Sequence, residues 1–179
     1  MPFNINDIKQ QLRFGGARSN LFEVTIFMKG NGAAAATEKT RFMCEAASMP
    51  ASNLGTAQIF YFGRALKLSG DRSFDPWQVT VINDEDFLVR NALESWSNEI
   101  NLLVGNRKRL DNYKSNATVT QFGKTGNPLR TYKLEGLWPS SVSSIELGWD
   151  QNDTVQRFSV QFEYDYFTIE GATGAINGN

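Results

Sequence analysis

The acidic residues of this sequence are the first candidates for chemistry, because carboxylates can bind metal ions or act as general acids and bases. Asp84, Glu85 and Asp86 are consecutive. Consecutive side chains on a helix point in different directions, so these residues predict favourable charge at a helix start rather than a metal site. The segment 150–154, DQNDT, begins like a calcium-binding loop but lacks its glycine and closing glutamate, and it predicts a turn.

Histidine is absent and cysteine is nearly so. The 179 residues contain no histidine and one cysteine, Cys44. Most zinc sites, and most acid-base catalysis near neutral pH, depend on histidine, and a single cysteine cannot form an internal disulfide. No nucleophile, base and cleft can be named together. The sequence therefore predicts a protein that is not an enzyme and has no metal or cofactor.

The charges are balanced, with 18 Lys and Arg against 19 Asp and Glu and a net charge of -1. Such a chain exerts no long-range attraction on a polyanion. The only basic run, NRKRL at 106–110, follows a predicted helix and is expected to serve the end of that helix. No membrane span or secretory leader is evident, so we expect a cytoplasmic protein without a membrane partner.

Alternation of apolar and polar residues predicts about eight strands. The predicted strands cover 20–29, 40–46, 59–70 (a strand pair or a bent strand around Gly63), 77–83, 117–123, 129–139, 143–149 and 156–170. The alanine-bearing segment 30–38 predicts a flexible hairpin loop, since four alanines are too few to nucleate a helix alone. A second loop is expected from Met49-Pro50 to about Gly55, because proline breaks the strand.

One long helix is predicted at about 84–104, with Asn83 as its N-cap. An apolar stripe would face a sheet, formed by Leu88, Ala92, Trp96, Ile100 and Leu103. A single helical turn is expected within 5–12. The candidate aromatic core anchors of the whole chain are Trp77, Trp96, Trp138, Trp149 and Phe162.

Together these elements predict a mainly β fold with two packed antiparallel sheets, a β-sandwich or barrel with one flanking α-helix. We expect a single domain over 1–179, divided into an N-terminal arm at 1–19, a core at 20–168 and a flexible C-terminal tail at 169–179. The segment 59–70 is apolar on both faces. A strand pair of that kind needs a partner surface.

Two segments carry a resemblance to a known family. GDRSFDPWQVTVINDED at 70–86, with the amphipathic helix after it, and LEGLWPSSVSSIELGWDQNDTVQRFSVQFEYDYF at 134–167 resemble the tail tube proteins of contractile-tailed bacteriophages. NLFEVTIF near the start fits too, so the resemblance spans about 20–168. It implies a tail-tube-like sandwich and hexameric rings that stack inside a contractile sheath as the channel for DNA. The chain would then be a virion protein, assembled in the bacterial cytoplasm.

The same resemblance implies site residues and partners. The loop after Met49 and the strand pair that follows would contact the adjacent ring, with candidate contacts Met49, Pro50, Asn53, Leu54, Phe60 and Phe62. Polar strand faces give candidate lumen residues, where clustered cations would hold phosphates: Glu45, Thr118, Thr120, Thr131 and Glu135. The implied partners are further copies of the chain, the sheath protein, the baseplate or tube initiator, the tape-measure protein, the tail terminator and transient DNA.

Two other interpretations stay open at this point. A tube protein of a type VI secretion system, or of a contractile particle without DNA, would have the same fold, and gene neighbourhood or packaged DNA would separate it. A monomeric carbohydrate-binding β-sandwich would display an exposed aromatic platform. The alternation of aromatic residues in this sequence favours a core instead.

Overall fold

The computed structural model describes residues 5–12, 15–105 and 112–171. Within these ranges the chain forms nine strands and three helices. In chain order they are α1 (Ile5–Gln11), β1 (Phe22–Ile26), α2 (Ala33–Met43), β2 (Cys44–Ala47), β3 (Ser52–Tyr61), β4 (Arg64–Phe74), β5 (Trp77–Ile82), α3 (Leu88–Ile100), β6 (Ser115–Phe122), β7 (Pro128–Val142), β8 (Arg157–Glu163) and β9 (Tyr166–Gly171).

Seven strands form one antiparallel sheet that β7 divides into two layers. The first half of β7 pairs with β6 and β9, and β6 also pairs with β1; we call these strands layer A. The second half of β7 pairs with β8, which pairs with β5, which pairs with β2; these strands form layer B. The remaining strands, β3 and β4, pair only with each other.

The two layers share one apolar core. The inward side chains of layer A include Val24, Val119 and Leu134, and those of layer B include Val79 and Val160; all are buried. Along each strand, inward and outward side chains alternate, so the polar residues between the buried ones lie on the outer faces. The predicted sandwich of two antiparallel sheets is confirmed.

Helix α2 covers the gap between the two ends of the sheet. It packs against β1 and β2, the terminal strands of the sheet order, and these two strands also contact each other. Ala36 and Thr40 point inward and are buried, and the Thr37 hydroxyl accepts a hydrogen bond from the backbone N–H of Met28 at 3.1 Å. The sheet is therefore curled almost into a barrel, with α2 along its seam.

Helix α3 packs against β7 and α2 through Val89, Ala92, Leu93 and Trp96. The ring of Trp96 lies 6.5 Å from that of Phe162, and its indole N–H donates to the Tyr113 carbonyl oxygen at 2.8 Å. The hydrogen bond satisfies the single polar group of an otherwise apolar side chain, which allows full burial.

Four of the five expected aromatic anchors contact the interior. Trp77, Trp96 and Phe162 are fully buried, and Trp138 is half-buried with its ring 6.2 Å from Tyr113. Trp149 is fully exposed, so its assignment as a core anchor is wrong. The segment 143–149 was predicted as a strand, but it is an irregular loop, and a loop residue is under no constraint to alternate inward.

The alanine-bearing segment 30–38 was predicted as a loop, and that prediction is wrong. It contains the first part of α2, whose eleven residues also cover most of the predicted strand 40–46. Four alanines cannot nucleate a helix in isolation, but burial of Ala36 and Thr40 against the core stabilises one. The described residues accordingly contain three helices rather than one.

Helix α3 is shorter than the predicted 84–104, and Asn83 is not its N-cap. The backbone N–H and side-chain amide of Asn83 both donate to Gln156, at 2.8 and 3.0 Å. Phe87 occupies the cap position in a left-handed conformation with φ of 52°. The Asp86 carboxylate accepts from the Leu88 backbone N–H at 3.0 Å, so one of the three acids does serve the helix start. Leu103, expected in the buried stripe, is exposed.

Other boundaries differ at turns. The loop expected to reach Gly55 ends sooner, because β3 begins at Ser52, and the strand predicted over 156–170 is split into β8 and β9. β9 also includes the first residues of the predicted tail. The helical turn within 5–12 and the strand pair around Gly63 are confirmed. The basic run at 106–110 and the tail beyond residue 171 lie outside the described residues.

Candidate assembly surfaces

The strands β3 and β4 form a hairpin, residues 52–74, that extends away from the sandwich. Every residue in it except Gly70 and Phe74 is exposed. Apolar side chains occupy both of its faces, and Phe60 and Phe62 expose 72% and 89% of their surface. The exposed apolar set is Leu54, Ile59, Phe60, Tyr61, Phe62, Leu66 and Leu68. A solvent-exposed hairpin of this composition needs another polypeptide to cover it.

The root of the hairpin is held firmly. The Asn53 side-chain amide donates to both carboxylate oxygens of Asp75 at 2.9 Å. The ring of Phe74 lies 5.7 Å from Tyr164 and 5.6 Å from Phe167. Since these two aromatic residues belong to the sandwich, the direction in which the hairpin leaves the body is fixed.

The predicted inter-ring residues all lie on this hairpin or on the segment that leads into it. Leu54, Phe60 and Phe62 are exposed on the hairpin, whereas Asn53 belongs to its anchored root. Met49 is about half-exposed and Pro50 is partly buried in the preceding segment. The structure therefore brings these residues together along one projecting element.

The five candidate lumen residues do not share one surface. Thr118, Thr120, Thr131 and Glu135 lie on the outer face of layer A, where Thr120 and Thr131 are directly opposite each other with their hydroxyl oxygens 3.2 Å apart. Glu45 instead lies on β2 of layer B.

The outer face of layer B carries mainly neutral polar groups. Gln78 is opposite Gln161, and Thr80 is opposite Ser159. Arg157 is neutralised by an ion pair with Glu45, at 2.5 Å between Nε and Oε2. A surface of amides and hydroxyls with its cation paired offers little attraction to phosphate groups.

Sequence reasoning missed a third surface, at the end of layer B remote from the hairpin. Strand pairing places the residues after β5 beside the residues before β8, because Ile82 is opposite Arg157. We call residues 84–87 with 144–157 the acidic end. It holds six carboxylates against one cation, Arg157, and its exposed apolar residues are Phe87, Leu147, Trp149 and Val155. Neither segment is unusual alone, so only the pairing of β5 with β8 reveals the cluster.

Lys39 on α2 neutralises part of the acidic end. Its ammonium nitrogen lies 2.6 Å from a carboxylate oxygen of Asp84 and 2.6 Å from one of Asp86. The hydrogen bonds that Lys39 donates to Asp84 and Asp86 raise the pKa of Lys39. The pKa of Asp86 is lowered, mainly by the hydrogen bond from Lys39 and secondly by the one from the Leu88 backbone N–H. This pairing ties α2 to the start of α3.

The interior offers little for chemistry. Among the described residues, no three His, Cys, Asp or Glu side chains gather where they could hold a metal ion. Cys44 is the sole thiol of the sequence, and burial raises its pKa to about 12, which disfavours the reactive thiolate. In the same part of the chain, no helix combines the length and apolar character needed to cross a membrane.

The β-sandwich leaves two surfaces uncovered, an apolar hairpin and a charged, partly apolar end. These are the features of a subunit whose exposed surfaces are covered by other polypeptide chains in an assembly. Residues 17–170 match the profile of a family described as phage tail tube protein. The chain belongs to that family. It is a structural component of the virion tail and is not an enzyme.

Sequence relatives agree with this membership. The chain is 30% identical over 169 residues to tail tube protein gp19 of Enterobacteria phage T4, covering 91% of this chain and 98% of that protein. It is 28% identical over 167 residues to a tail tube protein of Serratia phage KSP90, covering 89% of this chain and 93% of that one.

Solved structures with lower identity share the fold. A chain from the tube-terminating cap of the anti-feeding prophage superposes with a TM-score of 0.65 at 19% identity, covering 88% of this chain and 92% of that one. A chain from the sheath-tube complex of an extracellular contractile injection system gives a TM-score of 0.58 at 16% identity, covering 95% and 99%. Both are cryo-EM structures.

Proposed function

We propose that copies of this chain close into hexameric rings, and that the rings stack into the inner tail tube through which DNA is ejected. Membership in the phage tail tube protein family supports assembly of the chain into a tube. The observation that carries the stacking is the hairpin, which lies between β2 and β5 in the chain, extends beyond the sandwich, and leaves both apolar faces without a partner in the described chain. Covering such an element with further copies removes the exposed apolar area from water.

In this proposal the hairpin is the inter-ring contact. Leu54, Phe60 and Phe62 supply its apolar contacts, while Met49 and Pro50 form the approach and Asn53 anchors the root. A fixed root matters because a preorganised element loses less conformational entropy when it docks than a flexible one. The packing of Phe74 against Tyr164 and Phe167 supplies that preorganisation, and the hydrogen bonds from Asn53 to Asp75 join the two strands at the root.

We place the channel wall on the outer face of layer B. The hairpin extends the strands of this layer, so a docked hairpin would continue the same wall from one ring to the next. The amide and hydroxyl groups of Gln78, Thr80, Ser159 and Gln161, with Glu45 pairing Arg157, suit a surface that must not bind DNA.

The outer face of layer A is the second candidate for the wall. Its threonines, Thr118, Thr120 and Thr131, are accompanied by Glu135 and by Lys133, which pairs with Glu170 at 2.6 Å. This face is also polar, without a cluster of cations among the described residues. Layer B is preferred because only the short segments 48–51 and 75–76 separate its strands β2 and β5 from the hairpin.

Cysteine labelling distinguishes the two faces. Gln161→Cys and Thr131→Cys would each be placed in a Cys44→Ala background, assembled into tubes, and treated with a thiol reagent tethered to a bead too large to enter a tube. We expect the thiol introduced at position 131 to react and the thiol introduced at position 161 to be protected, while both react in free subunits. Protection at position 131 with reaction at position 161 would assign the wall to layer A.

The proposed partners follow from the assembly. The sheath protein would surround the tube, the baseplate or tube initiator would start it, the tail terminator would cap it, and the tape-measure protein would occupy the channel before DNA. Chains with the same fold have been solved in the sheath-tube complex of an extracellular contractile injection system and in a tube-terminating cap.

Self-assembly is tested by placing a charge in the proposed contact. Phe60→Asp and Leu54→Asp should leave the sandwich folded, because both side chains are exposed in the subunit. They should stop tube growth, since an unpaired carboxylate would be buried at each junction. Negative-stain microscopy measures the tubes and thermal unfolding measures the fold. Thr125→Asp, which adds the same charge at an exposed turn, is the control and should still assemble; tubes of normal length from Phe60→Asp would refute the contact.

A further inference from the structure

The hairpin and the acidic end lie at opposite ends of layer B. Trp77 and its partner Phe162 are at the hairpin side, whereas Ile82 and its partner Arg157 are at the acidic end. Six residues of β5 span the distance, roughly 17 Å at the rise of a strand. The two surfaces therefore point away from each other along the strand direction and do not meet within one copy.

Their charges are opposite. The hairpin carries three cations, Arg64, Lys67 and Arg72, against one carboxylate, Asp71. In the acidic end Lys39 binds Asp84 and Asp86, but four further acids are left with no ion pair among the described residues. These four are Glu85, Glu146, Asp150 and Asp153. No hairpin cation has an ion pair in the described chain either. The hairpin therefore has unpaired cations, and the acidic end has unpaired carboxylates that could pair with them.

Their shapes and apolar contents also correspond. Two adjoining hollows in the acidic end, of about 330 and 360 Å³, share Val155 and Gln156 in their walls. Phe87 lines the first hollow and Glu146 the second. Trp149 and Leu147 are exposed in the same loop that supplies most of the second hollow. The hairpin is a projecting element with large apolar side chains, which is the complement of a hollowed surface.

We infer that the acidic end is the receptor for the hairpin of the next copy along the tube axis. The inference rests on the proposed function and names the partner surface for the same hairpin. A contact between two different surfaces of identical subunits is heterologous and repeats without limit unless it is capped. Such a contact gives a stack with a defined polarity.

Charge makes the polarity selective. Two hairpins brought tip to tip would place cations together, and two acidic ends would place carboxylates together, so both reversed contacts are repulsive. Only the head-to-tail arrangement pairs Lys67 and the arginines of one copy with the unpaired carboxylates of the next. The apolar side chains, led by Trp149 and Phe60, would then supply the buried centre of the contact.

Zero-length carbodiimide cross-linking of assembled wild-type tubes tests the pairing directly, because it joins an ammonium to a carboxylate only in close contact. Tubes grown from an equal mixture of ¹⁵N-labelled and unlabelled chains identify links between copies by mass. We expect Lys67 joined to Glu85, Glu146, Asp150 or Asp153 of another copy. Lys67→Arg keeps the charge but removes the reactive amine, so tubes should form and this link should vanish.

Charge exchange supplies the second test. Arg64→Glu with Lys67→Glu, or Glu85→Lys with Glu146→Lys, should lower tube yield by about tenfold or more. All four substitutions together should restore most of it. Wild-type tubes in which Lys67 links to other acids or to none, or a fourfold variant that stays unassembled while remaining folded, would overturn the receptor while leaving the tube proposal intact. Failure of wild-type chains to form any tube would overturn both.

Discussion

The carboxylate of Asp165 fills the space that a side chain on Gly136 would need. A Cβ added to Gly136 would overlap that carboxylate, and Gly136 has a φ of 73°, which favours glycine. Asp165 is fixed there by its backbone N–H, which donates to the Glu135 carbonyl oxygen at 2.9 Å, and by Lys114, 2.6 Å from its side chain. This contact lies where β7 passes from layer A to layer B and where β8 gives way to β9.

Gly136→Ala should therefore destabilise the fold through two costs. A left-handed backbone costs a non-glycine residue about 1–2 kcal/mol, and displacing the Asp165 carboxylate should bring the loss of unfolding free energy to about 3 kcal/mol. Gly126→Ala is the matched control, because Gly126 has a φ of 80° with open space around it. Urea unfolding of both variants separates the costs. Equal losses in the two would show that the Asp165 contact contributes nothing.

The tryptophans Trp96 and Trp149 should differ sharply when truncated. Trp96→Ala removes a fully buried ring and leaves a cavity, and we expect a loss of about 3–5 kcal/mol in unfolding free energy. Trp149→Ala should change it by less than about 0.5 kcal/mol, since that side chain is fully exposed in the subunit. Chemical denaturation of free subunits measures both. A loss from Trp149→Ala as large as that from Trp96→Ala would contradict its exposure.

The pattern of alternating residues was sufficient to predict which faces of the strands point inward. Phe158, Val160 and Phe162 follow a period of two on β8 and are all buried. A one-residue shift would expose them and bury Arg157 and Gln161, so the alternation admits only one inward face. The exposed hairpin was also predictable, because its two apolar faces contradict the one-sided pattern of a strand in a sandwich.

Elements that depend on tertiary contacts were not predictable in the same way. The four alanines before Thr37 favour a helix only weakly, and α2 is stabilised by packing over the seam between β1 and β2, which the sequence does not display. The prediction that Trp149 is a core anchor was wrong for a related reason, because the alternating residues around it lie in an irregular loop and not in a strand. The acidic end requires the pairing of β5 with β8, which brings together segments about 60 residues apart.

The thiol of Cys44 should react slowly in the folded subunit. Burial raises its pKa to about 12, so at mildly alkaline pH very little thiolate is present, and the thiolate is the reactive form. We expect modification by a small disulfide reagent to be at least about tenfold faster in urea than in buffer. The absorbance of the released thiol follows the reaction. Equal rates in the two solvents would show that Cys44 is accessible in the folded state.

The ion pair of Lys39 with Asp86 should make stability depend on pH at two extremes. The pKa of Asp86 is lowered below its ordinary value of 3.8. The ionised carboxylate therefore stabilises the fold above that pH, and this stabilisation is lost as pH falls through the folded-state pKa. The pKa of Lys39 is raised above 10.5. The protonated ammonium group therefore stabilises the fold below that pH, and this stabilisation is lost as pH rises through the folded-state pKa. Between these limits the contribution should be constant.

Asp86→Asn tests the acid side of this dependence. The difference in melting temperature between wild type and Asp86→Asn should be constant from about pH 6 to 8 and should shrink as pH falls below about 4, where Asp86 takes up its proton in both states. Glu85→Gln is the matched control, because Glu85 is adjacent but has no ion pair among the described residues; its difference from wild type should not follow this course. A difference for Asp86→Asn that does not shrink in the acid range would show that the ionised form of the Asp86 carboxylate does not stabilise the fold.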